Sequence, residues 1–100
     1  MQIDERTVGD VVVIRVKGEI TLGKGDEMLR DKVNSLLNQG QRKLELDLAE
    51  VSYIDSAGLG EIVRAYTTVT RQGGSLKLLN LTEQITDQLR ITKLLDTFRM

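Results

Sequence analysis

The sequence predicts an α/β fold, a mixed sheet of four to five strands packed by helices in the order ββαβαβα, with room for a last strand at 98–100. Three observations carry this. Residues 11–16 (VVVIRV) are a near-continuous β-branched run, which reads as a central strand covered on both faces. From Asp26 the apolar period lengthens to that of a helix. Near residues 51–60 an apolar strand runs through a polar turn into a second helical pattern. Strands that alternate with helices imply parallel pairs joined by right-handed crossovers.

Each element follows from its own pattern. Residues 2–8 read as a short strand, with Gly9-Asp10 as a tight hairpin turn into the central run. Residues 19–25 are polar, carry Gly23 and Gly25, and read as a loop. Asp26 is the expected N-cap of a helix whose buried face holds Leu29, Val33, Leu36 and Leu37, and Gly40 sits where it ends. Residues 43–48 alternate strictly, with Leu44, Leu46 and Leu48 on one face. Val51-Ser52-Tyr53-Ile54 follows as strand. Leu59, Ile62, Val63, Tyr66 and Val69 then recur at helical spacing until Gly73-Gly74 closes the helix. Residues 75–79 form a further short strand. Thr82 caps a last helix carrying Ile85 and Leu89, and Leu94, Leu95 and Phe98 close the core.

Composition narrows the function. One hundred residues fit a single domain spanning 1–100. Fourteen basic and fifteen acidic residues nearly cancel and are interspersed, so the basic stripe of a nucleic-acid binder is missing. Arg42, Lys43, Arg64 and Arg71 read as solvated faces. No secretory signal precedes the first strand, and no apolar stretch approaches the length of a membrane span. A cytoplasmic protein without membrane insertion is the expectation. The chain has no His and no Cys, which removes the commonest general base and the best nucleophile. Residues 23–25 (GKG) lack the spacing of a phosphate-binding loop, and Asp4, Glu5 and Asp10 form no calcium-loop pattern. No metal, no cofactor and no enzymatic activity are expected.

One segment stands apart. Asp55-Ser56-Ala57-Gly58-Leu59-Gly60 passes from strand to helix. Ser56 falls at a helix N-terminus, where backbone N–H groups lack partners and the macrodipole favours negative charge. A phosphate on Ser56 would be tolerated there. Gly58 and Gly60 leave room for another protein to approach the hydroxyl. An ordinary helix cap accounts for Asp55 and Ser56 equally well.

The stretch DLAEVSYIDSAGLGEIV, with RQGGSLKLLN after it and ITKLLDTF near the end, resembles STAS domains of the anti-sigma factor antagonist type, and VIRVKGEI is similar to their opening strand and turn. The resemblance covers essentially the whole chain and implies a STAS-type fold. It implies that Ser56 is a phosphoacceptor, and that Asp55, Ser56, Ala57, Gly58, Leu59 and Gly60, with Thr21 and Gly23 of the neighbouring loop, meet a partner. Asp55 would position the serine or its kinase, and the helix from residue 56 to 71 would supply much of the docking surface.

The implied partner is an anti-sigma factor that is also a serine kinase of the histidine-kinase-like ATPase fold. It binds the unphosphorylated antagonist, which frees a sigma factor for transcription. Phosphorylation of the serine ends the association, and a PP2C-type phosphatase restores it. Two departures from the family pattern fall here: Glu19 is followed by Ile20-Thr21 where many antagonists carry an aspartate, and Lys93 stands where a glycine is frequent. Other STAS roles are an accessory subunit of a membrane transporter, such as a lipid-transport ATPase, or a module that senses a nucleotide or other ligand.

Overall fold

A computed structural model describes residues 1–91. Strands β1 (Gln2–Val8) and β2 (Val11–Ile20) lead into helix α1 (Gly25–Asn38). Strand β3 (Lys43–Ile54), helix α2 (Ser56–Arg71), strand β4 (Ser75–Leu79) and helix α3 (Glu83–Ile91) follow. The element order is the predicted one. The sheet has four strands in the order β1-β2-β3-β4 among the described residues. Its β1/β2 pair is antiparallel, across the two-residue turn at Gly9-Asp10, and β2/β3 and β3/β4 are parallel. The expected core residues Leu94, Leu95 and Phe98 and the last strand at 98–100 lie outside the described residues.

The core lies on one side of the sheet. Val12, Ile14, Val16 and Ile20 of β2 join Leu44, Leu46, Leu48, Val51 and Ile54 of β3 and Leu76 and Leu78 of β4 in one buried cluster. The helices complete it with Leu29, Val33 and Leu36, with Leu59, Ile62, Ala65 and Val69, and with Ile85 and Leu89. Burial of a full leucine or isoleucine side chain is worth about 1.5–3 kcal/mol, so this single layer of contact supplies most of what holds the fold.

Among the described residues, the expectation that β2 is covered on both faces is not met. Val13 and Arg15 stand outside the cluster. On that side the strand register sets Asp4, Arg15 and Asp47 in one row and Arg6, Val13, Glu45 and Lys77 in the next. Opposite charges directly across a sheet attract, and the stems of long charged side chains shade Val13. A β-branched run reads alike for a strand buried on both faces and for one whose outer face is charged by its neighbours.

Strand β3 is longer than its alternation suggested. Residues 43–48 and 51–54 are one strand, because β3 shifts register against β2 twice, between the Arg15–Asp47 and Lys17–Glu50 pairs and again between the Gly18–Val51 and Glu19–Tyr53 pairs. β3 therefore carries an extra residue at each shift. The Asp47 carboxylate accepts from the Ala49 amide at 3.1 Å and stabilises the kink. The bulge turns both Leu48 and Val51 inward. Strand β2 likewise runs on to Ile20, through residues read as loop, and Ile20 pairs with Ile54. Two parallel strands therefore end side by side, and the segments that leave them emerge together.

Helix α1 starts two residues before the expected position. Its N-cap is Lys24, which makes no side-chain cap bond, and Asp26 lies in the first turn. The Asp26 amide donates to the Thr21 carbonyl at 3.0 Å, and the Asp26 carboxylate accepts from the Gly23 amide at 2.9 Å. The same oxygen accepts from the Glu27 amide at 2.8 Å, so the aspartate folds the loop and satisfies a first-turn amide from inside the helix instead of from the N-cap position. Gly40, with φ +89, and the Thr82 hydroxyl, 3.3 Å from the Ile85 amide, end α1 and begin α3 as predicted.

Candidate functional site

The site forms where β2 and β3 end. Asp55 follows Ile54 with extended backbone (φ −99, ψ −177) and is the N-cap of α2. Its main chain is stitched to the neighbouring strand by an amide bond to the Ile20 carbonyl at 3.3 Å, and its own carbonyl accepts from the Leu59 amide at 2.9 Å. The side chain does two things at once. Oδ1 accepts from the Gly58 amide at 2.8 Å, and Oδ2 accepts from the Leu22 amide at 3.0 Å. One carboxylate therefore caps α2 and ties the loop at 21–24 to it. The Gly58 amide, then the Leu22 amide, hold the Asp55 carboxyl below its ordinary value, against a weaker opposing effect of burial.

Ser56 is the first residue of α2 and is exposed. Among the described residues its hydroxyl makes no hydrogen bond. The sequence led to the expectation that the amides around it lack partners, and the structure corrects this for two of them. The Gly58 amide is satisfied by the Asp55 carboxylate, and the Asp55 amide by the Ile20 carbonyl. A group added to Ser56 meets a helix end already occupied by an anion. Beside the serine is a cleft of about 190 Å³, lined by Asp55, Ser56, Leu59, Gln88 and Ile91.

The other predicted residues divide by exposure. Ala57 and Thr21 are half-buried, Gly60 and Gly23 are exposed, and Gly58 and Leu59 are buried. Gly23 has φ +101, a conformation that favours glycine and lets the loop turn back toward α1. Gly58 does not open space for a partner. A Cβ there would overlap the Ile20 carbonyl oxygen, so the missing side chain lets α2 seat against the end of β2. At Gly60 a Cβ would meet nothing within 4 Å.

Sequence reasoning missed Leu22, whose amide is the loop's bond to Asp55, and Gln88, whose Nε2 donates to the Ile54 carbonyl at 3.0 Å. An apolar residue inside a Gly-rich polar loop was the one signal for Leu22. Nothing local marks Gln88, because its partner is 34 positions away. Among the described residues no group of three or more acidic side chains gathers to hold a metal ion, and no helix is long and apolar enough to cross a membrane.

The STAS domain profile matches residues 2–100. The chain belongs to the STAS domain family. It is similar to the anti-sigma-B factor antagonist of Bacillus subtilis, at 38% identity over 96 residues that cover 96% of this chain and 86% of that protein. The anti-sigma-B factor antagonist of Listeria monocytogenes is 36% identical over 100 residues, covering 96% of this chain and 82% of its own. Among solved structures, the phosphorylated form of the Bacillus cell fate determinant SpoIIAA superposes with a TM-score of 0.78 at 23% identity, over 99% of this chain and 89% of that one. That likeness concerns the STAS fold alone.

Proposed function

We propose that this STAS domain is an anti-sigma factor antagonist whose association with its partner is switched by phosphorylation of Ser56. The observation that carries the reading is the placement of Ser56. It is exposed, its hydroxyl is unbonded among the described residues, and it stands at the ends of two paired strands on a rigidly capped helix. Relatives at 38% and 36% identity over nearly the whole chain bear the name anti-sigma-B factor antagonist.

The partner is an anti-sigma factor with serine kinase activity and a histidine-kinase-like ATPase fold. It docks on Ser56, Ala57 and Gly60 and on the loop carrying Thr21 and Gly23, while Asp55, Gly58 and Leu59 hold that surface in shape. The kinase step transfers the γ-phosphoryl group of ATP to the Ser56 oxygen and releases ADP, the hydroxyl proton leaving to a base on the kinase. A PP2C-type phosphatase hydrolyses the ester.

The physics of release is electrostatic and steric. A phosphate adds about −1.5 to −2 charges at neutral pH, next to the Asp55 carboxylate and at amides that Asp55 already holds. A partner that covered Ser56 would have to desolvate both anions. Only about 1.4 kcal/mol of such cost lowers affinity tenfold. No refolding of the domain is needed.

The test is capture from native cells by the Ser56→Ala and Ser56→Asp forms, with bound proteins identified by mass spectrometry. The alanine form is expected to retain a kinase-type ATPase that the aspartate form loses. Equal capture of the same partner by both, upheld with phosphorylated protein, would reduce Ser56 to a residue of a helix cap.

A further inference from the structure

The loop at 21–24 has two kinds of tie. Within its own strand-to-helix connection, the Asp26 amide bonds the Thr21 carbonyl at 3.0 Å and the Gly23 amide bonds the Asp26 carboxylate at 2.9 Å. These fold the loop but do not tie it to α2. Its bond to the cap of α2 runs from the Leu22 amide to Asp55 Oδ2, across 33 positions of sequence. The same carboxylate, through Oδ1, fixes the start of α2. Leu22 meanwhile is 76% exposed, so the bond ties a segment that holds an apolar group out in solvent to the residue just before Ser56. A neutral N-cap such as serine satisfies a helix as well as aspartate does. The second oxygen of Asp55 therefore serves the loop.

We propose that Asp55 is a positioning residue: its carboxylate locks the loop at 21–24 against the N-terminus of α2, so that Leu22 and Ser56 form one docking surface and Leu22 is a specificity-determining contact for the partner. This rests on the reading of Ser56 as the docking point. The arrangement makes the surface two-part, with an apolar anchor on one segment and the modifiable hydroxyl on the other. A preorganised anchor avoids the entropy of ordering a loop at the moment of binding.

Two variants separate the cap from the lock. Asp55→Asn keeps one oxygen for the Gly58 amide but turns an NH2 toward the Leu22 amide. Asp55→Ser caps well with a side chain too short to serve both amides. Both variants are expected to unfold within a few degrees of the wild type, since Asn, Asp and Ser are comparable caps. Both are expected to raise the hydrogen-exchange rate of the Leu22 amide at least tenfold. Both, and also Leu22→Ser with its lock intact, are expected to weaken binding of the purified kinase-type anti-sigma factor identified by the Ser56→Ala form about tenfold or more.

Wild-type exchange at Leu22 in both Asp55 variants would overturn the lock. Faster exchange with undiminished partner affinity, or full affinity in Leu22→Ser, would overturn the role of Leu22. Failure of the Ser56 switch is a separate result. In that case Ser56→Ala and phosphorylated protein bind alike, while Leu22 exchange still responds to Asp55.

Discussion

Gly58 packs face-on against the carbonyl of Ile20, close enough that any side chain at position 58 would overlap that oxygen. The contact joins the first turn of α2 to the end of β2, and Asp55 bonds the same carbonyl from its amide. The position of Ser56 is therefore fixed by backbone against backbone, the least deformable kind of contact in a small domain.

Replacement of this glycine has a definite cost. Gly58→Ala is expected to lower stability by about 1–3 kcal/mol, the usual penalty for overpacking a filled site. Gly60, two residues on and facing open space, should respond in the opposite sense. Gly60→Ala is expected to raise stability by about 0.5–1 kcal/mol, the helix propensity difference between the two residues. Urea unfolding of the pair checks both signs.

The open face of the sheet makes a second case. Arg15 lies between Asp4 and Asp47 in the strand register, with its Nε 4.0 Å from the Asp47 carboxylate. Burial pushes the Asp47 carboxyl up, but bonds from Asn80 and the Ala49 amide, with the charges of Arg15 and Arg6, outweigh it and hold the group low. Arg15→Glu would set three acidic side chains in one row. A loss of roughly 0.5–1 kcal/mol is expected, from like charges directly opposed, and it should shrink in high salt.

Much of the fold was legible in the chain because local rules and tertiary packing agree. Leu29, Val33 and Leu36 at helical spacing, Gly40 at the helix end and Thr82 before α3 all behave as their patterns predict. Three features were not legible, each for a physical reason. The bulge at Ala49 breaks strict alternation without ending the strand. The outer face of β2 is defined by Asp4, Glu45 and Asp47, which belong to other strands. The start of α1 is set by a loop that closes on itself through Asp26. At the site, the motif located Ser56 and Asp55, but the division of labour between the two oxygens of Asp55 depends on Leu22, far away in sequence.

The Asp55 lock should also carry a pH signature. Its folded carboxyl lies below the ordinary value of 3.8, so the unfolded chain binds that proton more readily. The contribution is then fully present above about pH 4–5 and is lost as pH falls through the lowered folded value. The causes are backbone amides and no counter-ion, so salt should leave the effect largely unchanged. Titration of the Leu22 and Gly58 amide resonances between pH 6 and 2 is expected to show both moving together in the wild type. In Asp55→Asn that shared step should vanish.

The central claim is tested most directly by titrating the purified anti-sigma factor with unmodified and Ser56-phosphorylated protein in a calorimeter. The account predicts saturable binding of the unmodified form and an affinity at least tenfold weaker after phosphorylation, with the domain's unfolding temperature little changed. Equal affinity of the two forms, or weak binding that traces to an unfolded phosphorylated domain, would contradict it.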